Sequence, residues 1–311
     1  MEPPVIELSH VRKMYRGRVE ALRGISLQVP KGCVFGLLGP NGAGKSTLVK
    51  ILTTIIRATE CRGIMLGHPV GHKPTLKRVG YLPEHVRFPE YLTGAQVIDF
   101  SAGLAGVSPR RLKVRKGELL ERVKMSEWQR RKVSTYSKGM KQRIGIAQAL
   151  VNDPEVVFLD EPTDGVDPEG RRDIRNLVRE LRDEGRTVFI NTHLLTELEQ
   201  VADRVGILSK GRLVREGTLE ELTAAQRQYE LRTQGPIPPG LAERLRAGGA
   251  TTGGNTVTID AQGPEPMQPV IDLLRSEEIM IRSMHEKRLS LEELFLEAVQ
   301  DGPGDGEGGA R

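Results

Sequence analysis

The run Gly39-Pro40-Asn41-Gly42-Ala43-Gly44-Lys45-Ser46-Thr47 constrains this chain more than any other feature. It follows the apolar stretch Val34 to Leu38 and precedes Leu48, Ile51, Leu52 and Ile55, which recur at helical spacing. The pattern predicts a buried strand, a glycine-rich turn, and a helix over Ser46 to Ile55 packed on the sheet it leaves. Such a turn aims backbone N–H groups and the positive end of the helix dipole at one point, which is a phosphate site.

Length and composition set the frame around this unit. With 311 residues, 38% apolar and 28% charged, the chain has room for one large and one small domain, each with its own core. No apolar run approaches the ~20 residues that span a bilayer, and Met1-Glu2-Pro3-Pro4 lacks the charged and apolar regions of a signal peptide, so a cytosolic location is expected. Cys33 and Cys61 are too few for a disulfide framework and read as reduced, structural thiols, the first in the strand before the loop and the second on a turn. The net charge of +5 is mild but uneven: Arg110, Arg111, Lys113, Arg115 and Lys116 cluster, as do Arg130, Arg131 and Lys132. The interleaved Leu112, Leu119 and Leu120 favour a solvated helix face over a nucleic-acid surface.

Along the chain, residues 5–29 read as short strands with Leu22, Ile25, Leu27 and Val29 on a buried side, an antiparallel opening. Gly63 and Gly67 punctuate a short strand pair. Between Thr93 and Lys132 the periodicity turns helical, with Val97, Ile98, Phe100 and Leu104 on one stretch and Leu119, Leu120 and Val123 on another, which predicts a helical insertion over about residues 93–150 of an α/β core. Apolar strands return at 156–159, 187–191 and 204–208, separated by helices, so a parallel sheet buried on both faces is expected. Gly211 marks a hairpin, and a short helix ending near Thr223 closes the first domain, 1–223. Residues 224–300 alternate strands (229–232, 256–259, 279–283) with helices (241–246, 269–275, 290–299) and predict a small α/β domain. The last of these helices carries the capping-box pair Ser290 and Glu293 and an apolar stripe of Leu291, Leu294, Phe295 and Val299. The glycine-rich tail, 301–311, has too little apolar area to offset its ordering entropy and is expected to be disordered.

The chemistry concentrates at two strand ends. Lys45 offers a cation to the β- and γ-phosphates of a nucleotide, and the Ser46 hydroxyl can ligate Mg²⁺. Asp160 ends the apolar strand from Val156, where a carboxylate is costly unless it serves a cation. Glu161, next to it and before Pro162, is the candidate water activator. His68 and His72 are four apart, but Pro69 and Gly71 interrupt any helix between them, so no metal site is assigned there.

Taken with Tyr136-Ser137-Lys138-Gly139-Met140 and the run ending in Asp160-Glu161, the phosphate loop resembles the ATP-binding subunit of an ATP-binding-cassette (ABC) transporter, with the motifs in family order over about residues 4–222. The resemblance implies a phosphate-loop ABC ATPase fold with ATP and Mg²⁺ as ligands. It also implies that Ser137 and Gly139 bind the ATP held by an opposite subunit. Tyr136, Lys138 and Met140 depart from the family's Leu-Ser-Gly-Gly-Gln, while the phosphate-contacting serine and second glycine stand. Glu84, in Gly80-Tyr81-Leu82-Pro83-Glu84, occupies the place of a glutamine that senses Mg²⁺ and contacts the membrane subunit; as an oxygen ligand it could join Ser46 and Asp160, with an added negative charge. Asp167 resembles the loop that couples two composite sites, His193 the switch histidine that meets the γ-phosphate, and Tyr15 the aromatic that stacks on adenine.

The resemblance further implies a homodimer or cassette dimer, a separate transmembrane permease, and peripheral association with the inner face of the cell membrane. The C-terminal domain is similar to the extension of bacterial export-type subunits that serve drug resistance, sodium extrusion or copper-enzyme maturation. No nucleic-acid partner is expected. A soluble ABC ATPase acting on ribosomes or DNA is the alternative, disfavoured by the single cassette and the lack of a coiled coil between its motifs. A non-catalytic ATP-binding regulator is disfavoured by the presence of both Glu161 and His193.

Overall fold

A computed structural model of the protein describes residues 3–224, 227–260, 263, 265–288 and 292–295. The chain passes from one compact unit to a second between Glu216 and Gly217. In the first unit an antiparallel sheet is formed by β1 (Ile6–Met14), β2 (Glu20–Val29), β4 (Glu60–Met65) and β5 (His68–Pro69), in the order β2-β1-β4-β5. A second sheet holds β3 (Val34–Leu38), β6 (Val79–Leu82), β7 (Val156–Asp160), β8 (Thr187–Thr192), β9 (Arg204–Ser209) and β10 (Arg212–Thr218), in the order β10-β9-β3-β8-β7-β6. The pairs from β9 to β6 are parallel. Every residue of β3, β7 and β8 is buried, as expected for strands covered on both faces. Phe35, Phe158 and Phe189 lie side by side across this sheet, with ring centroids 5.2 and 5.3 Å apart.

Helix α1 (Lys45–Leu52) leaves β3 and packs Leu48, Val49, Ile51 and Leu52 into the core shared with β1 and β2. It stops before Ile55, contrary to the expected span. Thr53 caps it, Thr54 takes a left-handed φ of 60°, and the chain turns Ile55 out to 55% exposure. Three helices make the insertion, α2 (Gly94–Ala105), α3 (Pro109–Arg122) and α4 (Lys138–Ala149). Thr93 closes a capping box with Gln96 at the start of α2, and Ser108 and Ser137 cap α3 and α4. The basic cluster of α3 is largely paired within the subunit: Arg111 and Arg115 meet Asp153, and Lys116 meets Asp99. Phe100 and Leu104 lie on the helical stretch expected from their spacing, but unlike the buried Val97 and Ile98 they are 58% and 76% exposed.

Helices α5 (Pro168–Asp183) and α6 (Leu195–Glu199) complete the parallel layer, and Thr218 and Glu221 form a capping box at α7 (Leu219–Ala224). Cys61 lies within β4 rather than on a turn, and neither cysteine is in a disulfide. No helix joins His68 to His72, yet the turn after β5 stacks their rings with centroids 4.5 Å apart, and His72 Nδ1 lies 2.9 Å from Thr75 Oγ1.

The second unit is an antiparallel sheet of β11 (Arg227–Thr233), β12 (Thr251–Gly253), β13 (Thr256–Asp260) and β14 (Ile281–Arg288), in the order β12-β13-β11-β14. With α8 (Pro239–Ala247) and α9 (Met267–Ser276) it buries Leu231, Leu245, Val257, Met267 and Leu274. Sequence periodicity missed β12 because three residues carry no pattern. Of the expected helix over 290–299, residues 292–295 are helical with Leu294 buried; its remaining residues and the tail lie outside the described residues.

Candidate functional site

The carboxyl ends of β3, β7 and β8 stand side by side and carry nearly all the groups that the sequence singled out. The loop after β3 needs its glycines for clearance. A Cβ on Gly39 would lie 2.4 Å from the Leu208 carbonyl oxygen, and one on Gly44, at φ +109°, 2.6 Å from that of Ala21. The resulting cavity of about 260 Å³ is lined by residues 40–47 with Ala21, Glu84 and Glu161. Lys45 is only 7% exposed at its floor, with Nζ donating to the Gly39 carbonyl at 2.5 Å and to that of Pro40 at 3.3 Å. Burial pulls its ammonium below the ordinary lysine range, against the pull of Glu161, Asp160 and Glu84 in the other direction.

Asp160 is 1% exposed. Its Oδ1 accepts from Ser46 Oγ and from Asn191 Nδ2, both at 3.2 Å, while Oδ2 is buried with no partner. Burial pushes this carboxyl above the ordinary aspartate range, even though both hydrogen bonds favour the ionised form. An orphaned buried carboxylate oxygen beside a serine hydroxyl, with Glu84 on the same cavity, is an all-oxygen donor set that suits a hard cation such as Mg²⁺.

Glu161 takes a left-handed φ of 49°, which turns its side chain from the strand end toward β8. Thr192 Oγ1 donates to Oε2 at 3.0 Å, and His193 Nδ1 lies 2.9 Å from Oε1. Two faces of one carboxylate are thus held by consecutive residues. The carboxylate is 9% exposed and the histidine 45%, so one end of the pair is dry and the other open.

Not every expected residue gathers here. Tyr15 lies just beyond β1, 40% exposed, with its hydroxyl 3.5 Å from Thr47 Oγ1 and Lys13 Nζ 5.0 Å from its ring centroid. It flanks the loop and does not line the cavity. Ser137 caps α4, accepting from the Met140 N–H at 3.2 Å; neither it nor Gly139 nor the exposed Asp167 at the head of α5 lines the cavity. Conversely, Asn191, Thr192 and Gln142 bond to Asp160 and Glu161 and had no role assigned from sequence. For the first two a signal existed: polar residues closing an apolar strand, the same pattern that marks Asp160 and Glu161.

A larger groove of about 360 Å³ lies between the insertion and the edge of the parallel sheet, lined by Tyr81, Phe88, Leu92, Phe100 and Leu104 among others. Among the described residues, no helix is long and apolar enough to cross a membrane.

Comparison with known proteins agrees with this geometry. Residues 22–164 match the ABC transporter family. The chain is 42% identical to an uncharacterized ABC transporter ATP-binding protein of Nostoc sp., covering 96% of this chain and 90% of that one. It is 34% identical to the daunorubicin/doxorubicin resistance ATP-binding protein DrrA of Streptomyces peucetius, covering 96% and 93%. Among solved structures it is similar to cbiO1 from Clostridium perfringens, part of the ABC transporter complex cbiONQ, with a TM-score of 0.64 and 28% identity over 72% of this chain and 92% of that one. A phosphate loop on a parallel sheet, with buried carboxylates at the neighbouring strand end and relatives matched along almost the whole chain, places this protein in the ABC transporter family as an ATP-binding, ATP-hydrolysing subunit.

Proposed function

We propose that two copies of this chain, or this chain and a second cassette, close around two ATP molecules and drive a separate membrane-spanning permease in the direction of export. The observation that carries the catalytic part is the Glu161 carboxylate, held between Thr192 and His193 at the wall of the phosphate-loop cavity. In that position Glu161 orients and deprotonates the attacking water, and His193, hydrogen-bonded to it, meets the γ-phosphate from the open side. Lys45 and the N–H groups of the loop stabilise charge on the phosphates, a contribution that needs position more than covalent chemistry. Ser46, Asp160 and Glu84 hold Mg²⁺, which when bound neutralises phosphate charge. Tyr15 stacks on the adenine from its place beside Thr47.

Ser137, Gly139 and Asp167 do not line their own cavity, which fits action on the nucleotide of a second subunit. The groove rimmed by exposed Phe100 and Leu104 begins at Gly80 and Tyr81, a few residues before Glu84, and suits an apolar segment of the permease. Through that contact the subunit sits at the inner face of the membrane. Export is favoured by the resistance function in the names of similar proteins. We assign these steps to residues 1–223 and leave 224–300 as a separate domain.

The test is affinity purification of tagged Glu161→Gln protein with ATP from gently solubilised native membranes, followed by mass spectrometry. Stoichiometric recovery of a multi-span membrane protein supports the reading. Recovery of ribosomes or DNA with no membrane chain supports the soluble alternative and ends this one.

A further inference from the structure

We infer that Gln142, in the second turn of the helix that Ser137 opens, is a positioning residue for Glu161, an inference that rests on the proposed role of that carboxylate. Gln142 is 4% exposed, and its Nε2 donates to the backbone carbonyl of Glu161 at 3.2 Å, across a separation of 19 residues. Gly145, Ile146 and Ala149, which share its face of α4, are buried as well. A primary amide in such surroundings is costly unless its polar atoms are bonded, so the contact to Glu161 is what makes this residue tolerable there.

The backbone it holds is an unusual one. Glu161 stands at φ +49°, a region that a residue with a side chain adopts only when its surroundings over-determine it. Three hydrogen bonds hold the two peptides that flank the Glu161 Cα: Glu161 N–H to the Asn191 carbonyl at 2.9 Å, Asp164 N–H to the Glu161 carbonyl at 3.2 Å, and the Gln142 amide to that same carbonyl. The first two are backbone to backbone; the third comes from a side chain. A change of backbone conformation at Glu161, away from φ +49°, re-aims its Cβ and takes the carboxylate from Thr192 and His193. The same helix grips the loop again four residues earlier, at its first residue. Lys138 Nζ meets Asp164 Oδ2 at 2.6 Å, and the Lys138 stem lies so close over Gly165 that a Cβ there would fall 2.4 Å from its Cδ. One helix thus carries the Ser137 cap at its head and fixes residues 161–165 of its own subunit along its first turns.

Gln142→Met keeps the length of the side chain and removes the donor. In the full-length protein it lowers the rate of ATP turnover about tenfold, with KM and ATP affinity within about twofold, because the lost interaction acts on the chemical step. It causes no further loss in a Glu161→Gln background, as expected when one residue acts through the other. Gln142→Glu restores a donor only when protonated, so its turnover relative to the parent rises as pH falls. Full turnover of Gln142→Met, a further loss on top of Glu161→Gln, or a matching loss of ATP affinity overturns the inference. Full turnover of Glu161→Gln alone overturns instead the reading on which it rests.

Discussion

Strand β7 has acidic residues at both ends, and the protein treats them in opposite ways. At the amino end, Glu155 makes a two-pronged pair with Arg78, and Asp153 meets Arg111, Arg115 and Arg186. At the carboxyl end, Asp160 and Glu161 have no arginine or lysine in salt-bridge contact among the described residues, and one oxygen of Asp160 has no partner among them. Among the described residues, the buried charges are Lys45, Asp160 and Glu161, all at this end. The same residue types are therefore paired with arginines at one end and left without a cationic side-chain partner at the other, as the proposed ligand site requires. This follows the general rule that open α/β sheets bind ligands beyond the carboxyl ends of their strands.

The contrast can be broken or sharpened by three changes. The largest effect is expected from Glu161→Gln, which should lower phosphate release by about 100-fold or more while ATP titration shows affinity close to the parent's. A variant that turns over normally would remove the functional meaning of the carboxyl end. Next, Asp160→Asn should weaken Mg²⁺-dependent ATP binding on the order of tenfold, measured with and without a chelator. Because the Asp160 carboxyl is buried and incompletely paired, the melting temperature without nucleotide should not fall. If it falls, Asp160 is a structural group like those at the other end.

The smallest effect, and the opposite kind, is expected at Asp153. Asn tolerates the φ of 62° found there, so Asp153→Asn removes charge without disturbing the backbone. It should cost about 1 kcal/mol of stability in denaturant titration and leave turnover unchanged. Burial raises the Asp153 carboxyl, but the hydrogen bond from Arg186 and the charges of Arg115, Arg186 and Arg111 outweigh it and hold it below the ordinary range. A depressed folded-state value means that the contribution is complete above the unfolded value of about 3.9 and is lost as pH falls below it. The parent should therefore lose more stability than Asp153→Asn on acidification through that window, and equal losses would show the arginine cluster to be inert.

Much of the molecule was legible because its strongest signals are local. The phosphate loop declares itself by glycines between an apolar strand and a helix, and Asp160-Glu161 by two carboxylates closing an apolar strand. Gly39 and Gly44 were predictable as glycines, but not the carbonyls of Leu208 and Ala21 that exclude a side chain there. Periodicity erred at Ile55, where a left-handed Thr54 ends the helix, and at Phe100 and Leu104 it found the helix α2 but not their exposure. A pattern of apolar positions says which residues can be buried, but not whether another element arrives to cover them.

What the sequence determined by itself is the α/β layering, the phosphate loop and the acidic strand end, since each depends on residues within one turn or strand of each other. The tertiary structure alone decided which polar groups meet the acids. Thr192 and His193 reach Glu161 because β8 lies beside β7, Asn191 reaches Asp160 for the same reason, and Gln142 reaches the Glu161 carbonyl because α4 packs against the strand end. A hydrogen bond acts over about 3 Å, and only the order of strands in the sheet brings residues more than thirty positions apart within that reach.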